Sequence, residues 1–236
     1  MAVFVTPKVE LVGSTLFEPP ASVDYDLSID AVNDGEELAQ FAGRACYQSF
    51  HRPVPETATA AGYMDNILRK KDLSILEHAH ASYYLTGISR SFSHEMVRHR
   101  HISPSQLSQR FVDDTNVRFV IPPLYQGDDA AIADLNDAAD FALERYRRNV
   151  DRYLEKGVAR KQAREAAREF LPNMTETKMV LTGNYRAWLE FLTKRDTELA
   201  DAQIHRIAEM IGAHLAEFAP NIFDDRPRSI WQPERP

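Results

Sequence analysis

Residues 78–110 read HAHASYYLTGISRSFSHEMVRHRHISPSQLSQR, and three kinds of chain follow one another within them. From His78 to Ser89 apolar and polar positions alternate, with Tyr, Thr and Ile prominent, which is the pattern of a half-buried strand. Residues 89–100 then place Phe92 and Met96 four apart, with Glu95/His99 and His94/Arg98 at the same interval. That spacing describes a short helix with i,i+4 charge pairs on its surface. Four potentially cationic side chains, Arg98 to His101, finally run into a serine-rich stretch that closes on Ser108-Gln109-Arg110. Strand, helix and donor-rich segment in direct succession predict an α+β chain with its candidate site at residues 98–110.

Outward from this stretch the chain is mostly helical. DGEELAQFAGRACYQSF (34–50) carries Leu38, Phe41, Ala42 and Cys46 at helical spacing, and YMDNILRKK (63–71) reads as a second, short helix. Residues 128–156 hold no internal Pro or Gly, predicting a long helix that Gly157 ends. RKQAREAAREFL (160–171) stops before Pro172, because the residue before a proline is biased away from helix. RFVIPP (118–123) and TKMVLTG (177–183) are strand candidates. Residues 184–195 form a helix with Asn184 as N-cap, and 201–218 form the last long one. The reading is a helix-rich single domain, 1–236, with a small mixed or antiparallel sheet and a loose or partner-bound tail from about 222. Residues 1–33 have no assigned role.

Composition limits what the basic cluster can do. Lys and Arg total 28 against 35 acidic residues, a formal net charge of -7, which argues against coating nucleic acid by bulk electrostatics. A local basic cluster therefore reads as a site. The single cysteine, Cys46, permits no intrachain disulfide, and neither a leader peptide nor a membrane span is apparent, so the expectation is a soluble, cytoplasmic protein. The nine glycines are scattered, and none makes a dinucleotide or phosphate-cradling loop. Any nucleotide must be held by side chains and helix ends.

Zinc is disfavoured. His94 and His99 are five residues apart, so on a helix their rings diverge by about 140° instead of converging as in H-E-x-x-H. No metal is expected. The arginines beside Ser103, Ser105 and Ser108 instead make a lining suited to phosphate oxygens. Arg195 adds a separate hint, since it lies seven residues after Trp188 on the apolar stripe of Tyr185, Trp188 and Leu192. A guanidinium there meets a carboxylate or an anionic ligand, or else snorkels to water from a frayed last turn.

With those residues in view, the chain resembles the flavin-dependent thymidylate synthases. The signature is Arg-His-Arg, seven residues, then Ser-x-Arg: here Arg98-His99-Arg100, HISPSQL, Ser108-Gln109-Arg110. LSILEH, with Ser74, Glu77 and His78, resembles an upstream family element. REFLP (168–172) and NYRAWLEFLTKR (184–195) resemble the family's second substrate arginine and its flavin-binding helix. The resemblance implies that Ser74, Glu77, Arg98, His99, Arg100, His101, Gln106, Asn184, Arg186 and Glu190 contact FAD. It implies dUMP binding by Glu95, Met96, Val97, Arg98, Gln106, Leu107, Ser108, Gln109, Arg110, Arg168 and Arg195, with Arg195 catalytic at the uracil. It further implies a homotetramer with sites shared among subunits, and reductive methylation of dUMP to dTMP. Methylenetetrahydrofolate would be the carbon donor and NADPH the reductant, with no cysteine nucleophile. Three departures stand out: Pro104 where tyrosine is frequent, Glu190 where Asn or His often helps bind flavin, and Leu199 where histidine is common. The rival readings are a single-strand nucleic-acid module and a flavin reductase without methyl transfer.

Overall fold

The computed structural model describes residues 2–224. In chain order it contains β1 (Phe4–Val5), β2 (Lys8–Ser14), α1 (Asp34–Tyr47), α2 (Ala60–Lys70), β3 (His80–Ser89), α3 (Arg90–Met96), β4 (Ile102–Gln106) and β5 (Phe119–Val120). There follow α4 (Asp129–Glu155), α5 (Arg160–Ala167), β6 (Glu176–Asn184), α6 (Tyr185–Arg195), α7 (Ala202–Phe218) and α8 (Pro220–Phe223). Four strands make an antiparallel sheet in the order β2-β3-β6-β4, and β1 pairs with β5 in parallel. The fold is α+β, as the sequence predicts.

Strand periodicity decides which face of the sheet is covered. Ala81, Tyr83 and Leu85 of β3 and Met179 and Leu181 of β6 are buried and form one core with α2, α6, α7 and α8. Trp188 of α6 is at the centre, fully buried, its ring 5.4 Å from Tyr83 and its indole N–H donating to the Ala81 carbonyl at 3.1 Å. The alternate residues Ser82, Tyr84, Lys178 and Thr182 are only half-buried, on the face these helices leave uncovered.

Three details position the site. Asn184 is both the last residue of β6 and the N-cap of α6, its side chain accepting the Ala187 N–H at 2.8 Å, so strand and helix are joined without a linker. β3 is irregular between Leu85 and Ile88, where Gly87 has φ +66° and a Cβ would fall 2.0 Å from the Thr6 carbonyl oxygen. Only glycine allows that approach of the N-terminal segment. Buried Glu176 secures the same corner, accepting from Gly87 N at 2.9 Å and from Arg118 Nε at 2.7 Å.

The structure departs from the sequence expectation in several places. The helix expected over 89–100 ends at Met96, because the chain must turn to bring Ile102 opposite Gly183 in the sheet. Glu95/His99 and His94/Arg98 are therefore not pairs along one helix. Residues 102–106 form an edge strand although Ser and Pro are poor strand formers. Pro104 is tolerated there: Leu107 donates to Lys178 of β6, so by alternation the N–H position of Pro104 faces away from the sheet. β2 was not anticipated, being an exposed edge strand with Val9 its one buried residue. RFVIPP contributes only the two residues of β5. Ile222 and Phe223 are buried in α8, and the rest of the tail, 225–236, lies outside the described residues. Among the described residues no helix is long and apolar enough to cross a membrane.

Candidate active site

The turn between α3 and β4 faces the solvent side of α6, and a pocket of about 650 Å³ lies between them. That volume is within the ~300–1,000 Å³ of small-molecule sites. Glu95 of α3, Arg98, His99, Arg100 and His101 of the turn and Ile102 of β4 line it on one side, and Ala187, Glu190, Lys194 and Arg195 line it from α6. A smaller hollow of about 280 Å³ adjoins it, sharing His101, Ala187 and Glu190 and adding Glu77, Asn184 and Arg186. Ten residues singled out in the sequence thus come together: Glu77, Glu95, Arg98, His99, Arg100, His101, Asn184, Arg186, Glu190 and Arg195.

Arg195 is the best-held of them. Its Nε donates to His99 Nε2 at 2.9 Å, and its Nη1 lies 3.2 Å from a Glu95 carboxylate oxygen. Its side chain is 20% exposed, so the guanidinium meets a carboxylate rather than snorkelling. Accepting at Nε2 leaves the His99 proton on Nδ1. Burial first, then the charges of Arg195 and Lys194, push the His99 pKa down to about 4, so the ring is a neutral acceptor near neutral pH. Asp196 and His205, 3.6 Å apart, tie the end of α6 to α7 just behind Arg195.

The remaining basic side chains are less constrained. Arg98, Arg100 and His101 are exposed, and among the described residues no carboxylate forms an ion pair with Arg98 or Arg100. Arg186 pairs with Glu77 at 2.5 Å, while Lys194 pairs with Glu190 and holds that carboxyl below its ordinary pKa. Lys194, Ala187 and Ile102 were missed in the sequence. The i,i+4 spacing of Glu190 and Lys194 was the available signal, and it reads as an ordinary surface pair.

The second half of the motif is elsewhere. β4 has five residues, about 13 Å of extended chain; Gln106 is its last residue, and Leu107 to Arg110 follow beyond that far end. Gln106 Nε2 donates to Thr177 Oγ1 at 3.1 Å, and Arg110 faces Glu165 of α5 at 3.6 Å. Arg168, just after α5, is 3.7 Å from Glu169. None of Gln106, Leu107, Ser108, Gln109, Arg110 and Arg168 lines either hollow. Ser74 is exposed, with its hydroxyl 3.4 Å from Asp72, and also lies apart. Met96 is 2% exposed within the core, which leaves only its backbone for a ligand, and Val97 is exposed.

The sequence over most of the chain agrees with this motif. The family model described as thymidylate synthase complementing protein matches residues 28–221. The chain belongs to the flavin-dependent thymidylate synthase family. The flavin-dependent thymidylate synthase of Mycobacteroides abscessus is 45% identical over 233 residues, covering 95% of this chain and 92% of that protein. Those of Mycobacterium avium and Mycobacterium tuberculosis are 45% identical over 232 and 225 residues, covering 95% and 92% of this chain and 92% and 89% of their own lengths. The family is one of enzymes, methyltransferases that use a flavin, and the site geometry can be read in that light.

Proposed function

We propose that the chain converts dUMP to dTMP by reductive methylation, with FAD in the pocket between the α3–β4 turn and α6. Methylenetetrahydrofolate is the carbon donor and NADPH the reductant. The observation that carries this reading is the fixed guanidinium of Arg195 at the rim of a cation-lined pocket. The donor set suits FAD: with no glycine-rich loop in the chain, a pyrophosphate needs side-chain cations, and Arg98 and Arg100 are exposed and, among the described residues, form no ion pair with a carboxylate. Bound there, the reduced flavin supplies a hydride.

The protein's part is electrostatic. Uracil C5 is a weak nucleophile, and charge left on the ring by loss of the N3 proton makes it a better one. Arg195, already oriented by His99 and Glu95, stabilises that charge without reorganising. Cys46, the one cysteine, is exposed on α1 and lines neither hollow, in keeping with a reaction that uses no thiol nucleophile. At the other end of β4, Gln106, Ser108, Gln109, Arg110 and Arg168 supply phosphate and sugar contacts for dUMP. Because about 13 Å of strand separates the two halves, we infer that they serve different sites, each completed by another subunit of a homotetramer.

The first experiment is the visible absorption spectrum of the purified protein before and after dUMP. A flavin spectrum that shifts on dUMP addition, with dTMP formed when NADPH and methylenetetrahydrofolate follow, is the expected result. NADPH oxidation that yields peroxide and no dTMP would instead establish the reductase. For the assembly, mixing inactive Arg100→Ala and Arg110→Ala proteins restores part of the activity if the halves come from different subunits, and none if they do not.

A further inference from the structure

The segment from Leu107 to Arg118 joins β4 to β5 and has no regular secondary structure. A stretch of this length and polarity is ordinarily mobile. Here its backbone is gripped from α4 and α5. Arg164 of α5, 8% exposed, donates from Nη1 to the Phe111 carbonyl at 2.8 Å and from Nη2 to the Asp113 carboxylate at 2.7 Å. The fully buried Tyr146 of α4 accepts the Asp114 N–H at 3.3 Å, and Arg147 Nε donates to the Thr115 carbonyl at 2.7 Å.

The charges beneath the segment are not arranged as a stability device would be. Asp114 is 3% exposed and hydrogen-bonded to Gln109, yet its Oδ2 has no partner among the described residues, and neither has Arg164 Nε. Burying an arginine and a carboxylate with polar atoms unsatisfied costs stability, and an apolar pair would fill the space at less cost. What such groups provide is one fixed conformation. Their placement says of what: Arg164 holds Phe111 immediately after Arg110, the next residue Glu165 faces Arg110 itself, and Arg168 follows one turn later. One short helix therefore sets the distance between Arg110 and Arg168.

We propose that Arg164 is a positioning residue for nucleotide binding: its grip on Phe111 and Asp113 holds Gln109 and Arg110 at the spacing from Arg168 that a nucleotide phosphate and sugar require. This rests on the dUMP reading given above. Arg164 does not itself touch the substrate.

The test uses Arg164→Met, Arg164→Lys and Asp113→Asn in the intact protein, with steady-state kinetics and amide hydrogen exchange over residues 107–117. Arg164→Met should raise KM for dUMP by roughly ten- to hundredfold, the cost of displacing binding groups by about 1 Å. Loss of kcat should be far smaller, flavin content unchanged, and exchange in the segment faster. Lysine keeps the charge but cannot make both hydrogen bonds, so Arg164→Lys should recover part of the loss. Asp113→Asn, whose side chain is half exposed, should move KM in the same direction by a smaller factor, and it decides the matter if Arg164→Met fails to fold. Unchanged KM and unchanged exchange, in a protein whose wild-type flavin spectrum responds to dUMP, would overturn the inference. A wild type with no response to dUMP would overturn the underlying reading instead, and unaltered exchange in the variants would then remove the clamp as well.

Discussion

At one end of β4, Arg98, Arg100 and His101 stand exposed around a pocket; at the other, Arg110 and Arg168 already face Glu165 and Glu169, on backbone braced by buried charges. Among the described residues Arg98 and Arg100 of the first set form no ion pair with a carboxylate, so an anion reaching those two guanidiniums displaces none. The second set is half-neutralised in advance, so an anion arriving there competes with carboxylates. On the proposed reading this is the difference between a group that stays and a substrate that must leave. Tight retention suits unpaired cations, whereas turnover suits cations whose exposed pairs are each worth little, ~0–1 kcal/mol, and readily re-form.

The sharpest way to break the comparison is at Arg195, which belongs to the first end but is itself held rigidly. Arg195→Ala should lower dTMP formation by about 10³-fold while flavin stays bound, as expected when a preorganised charge is deleted. Turnover retained within tenfold would remove its role. Next in size, Arg100→Ala should weaken flavin retention by roughly ten- to hundredfold, one charge-assisted contact, so that the protein emerges colourless from gel filtration. Arg110→Ala should emerge yellow. Equal colour in both would mean that the two ends do not differ in what they hold.

Acidity separates the ends with opposite signs. His99, with its pKa depressed to about 4, binds its proton more weakly folded than unfolded, so its contribution to stability is present above about pH 6.5 and lost as pH falls toward 4. Asp114 is the reverse. Burial first, then Asp113, raise its pKa to about 6 against the opposing pull of Gln109, Arg164 and Arg90. Folded, it holds a proton that the unfolded chain has released, so stability falls as pH rises from about 4 through 6. Melting temperatures across pH 4–7 should therefore rise less steeply with pH in His99→Gln than in wild type, and more steeply in Asp114→Asn. Parallel curves for either variant would refute that assignment. The smallest effect belongs to Asn184→Ala, which removes the cap of the helix that bears Arg186 and Arg195 and should cost about 1 kcal/mol in chemical denaturation.

What could be read from sequence follows from how locally each feature is determined. The N-cap at Asn184, the long α4 and the alternating β3 depend on neighbours within a few residues, and the structure has them where expected. The buried stripe of α6 is likewise where expected, and of the two readings it left for Arg195, a partner or an exposed last turn, the structure has the partner. The partner's identity was not legible, because Glu95 at the end of α3 and His99 in the turn after it are about a hundred positions away. β4 was hidden for the opposite reason: Ser103, Pro104 and Ser105 carry no strand preference, and pairing with β6 imposes the conformation. The division of the motif into two ends was concealed with it, since a segment read as a loop could fold back on itself and a strand cannot. Arg164 looked like one more arginine on a charged helix, and nothing short of Phe111 and Asp113 in space distinguishes it.

Pro104 has a consequence beyond its own strand. β4 is an outer edge of the sheet, and its outward-facing side lacks a donor at the middle residue. A foreign strand laid against that margin would find the ladder interrupted, so the sheet cannot grow from this side into a neighbouring molecule. Copies of the chain are thereby kept from zipping together through their backbones along the strand that joins the two halves of the motif. Association there has to proceed through side chains, which can recognise a partner and release it.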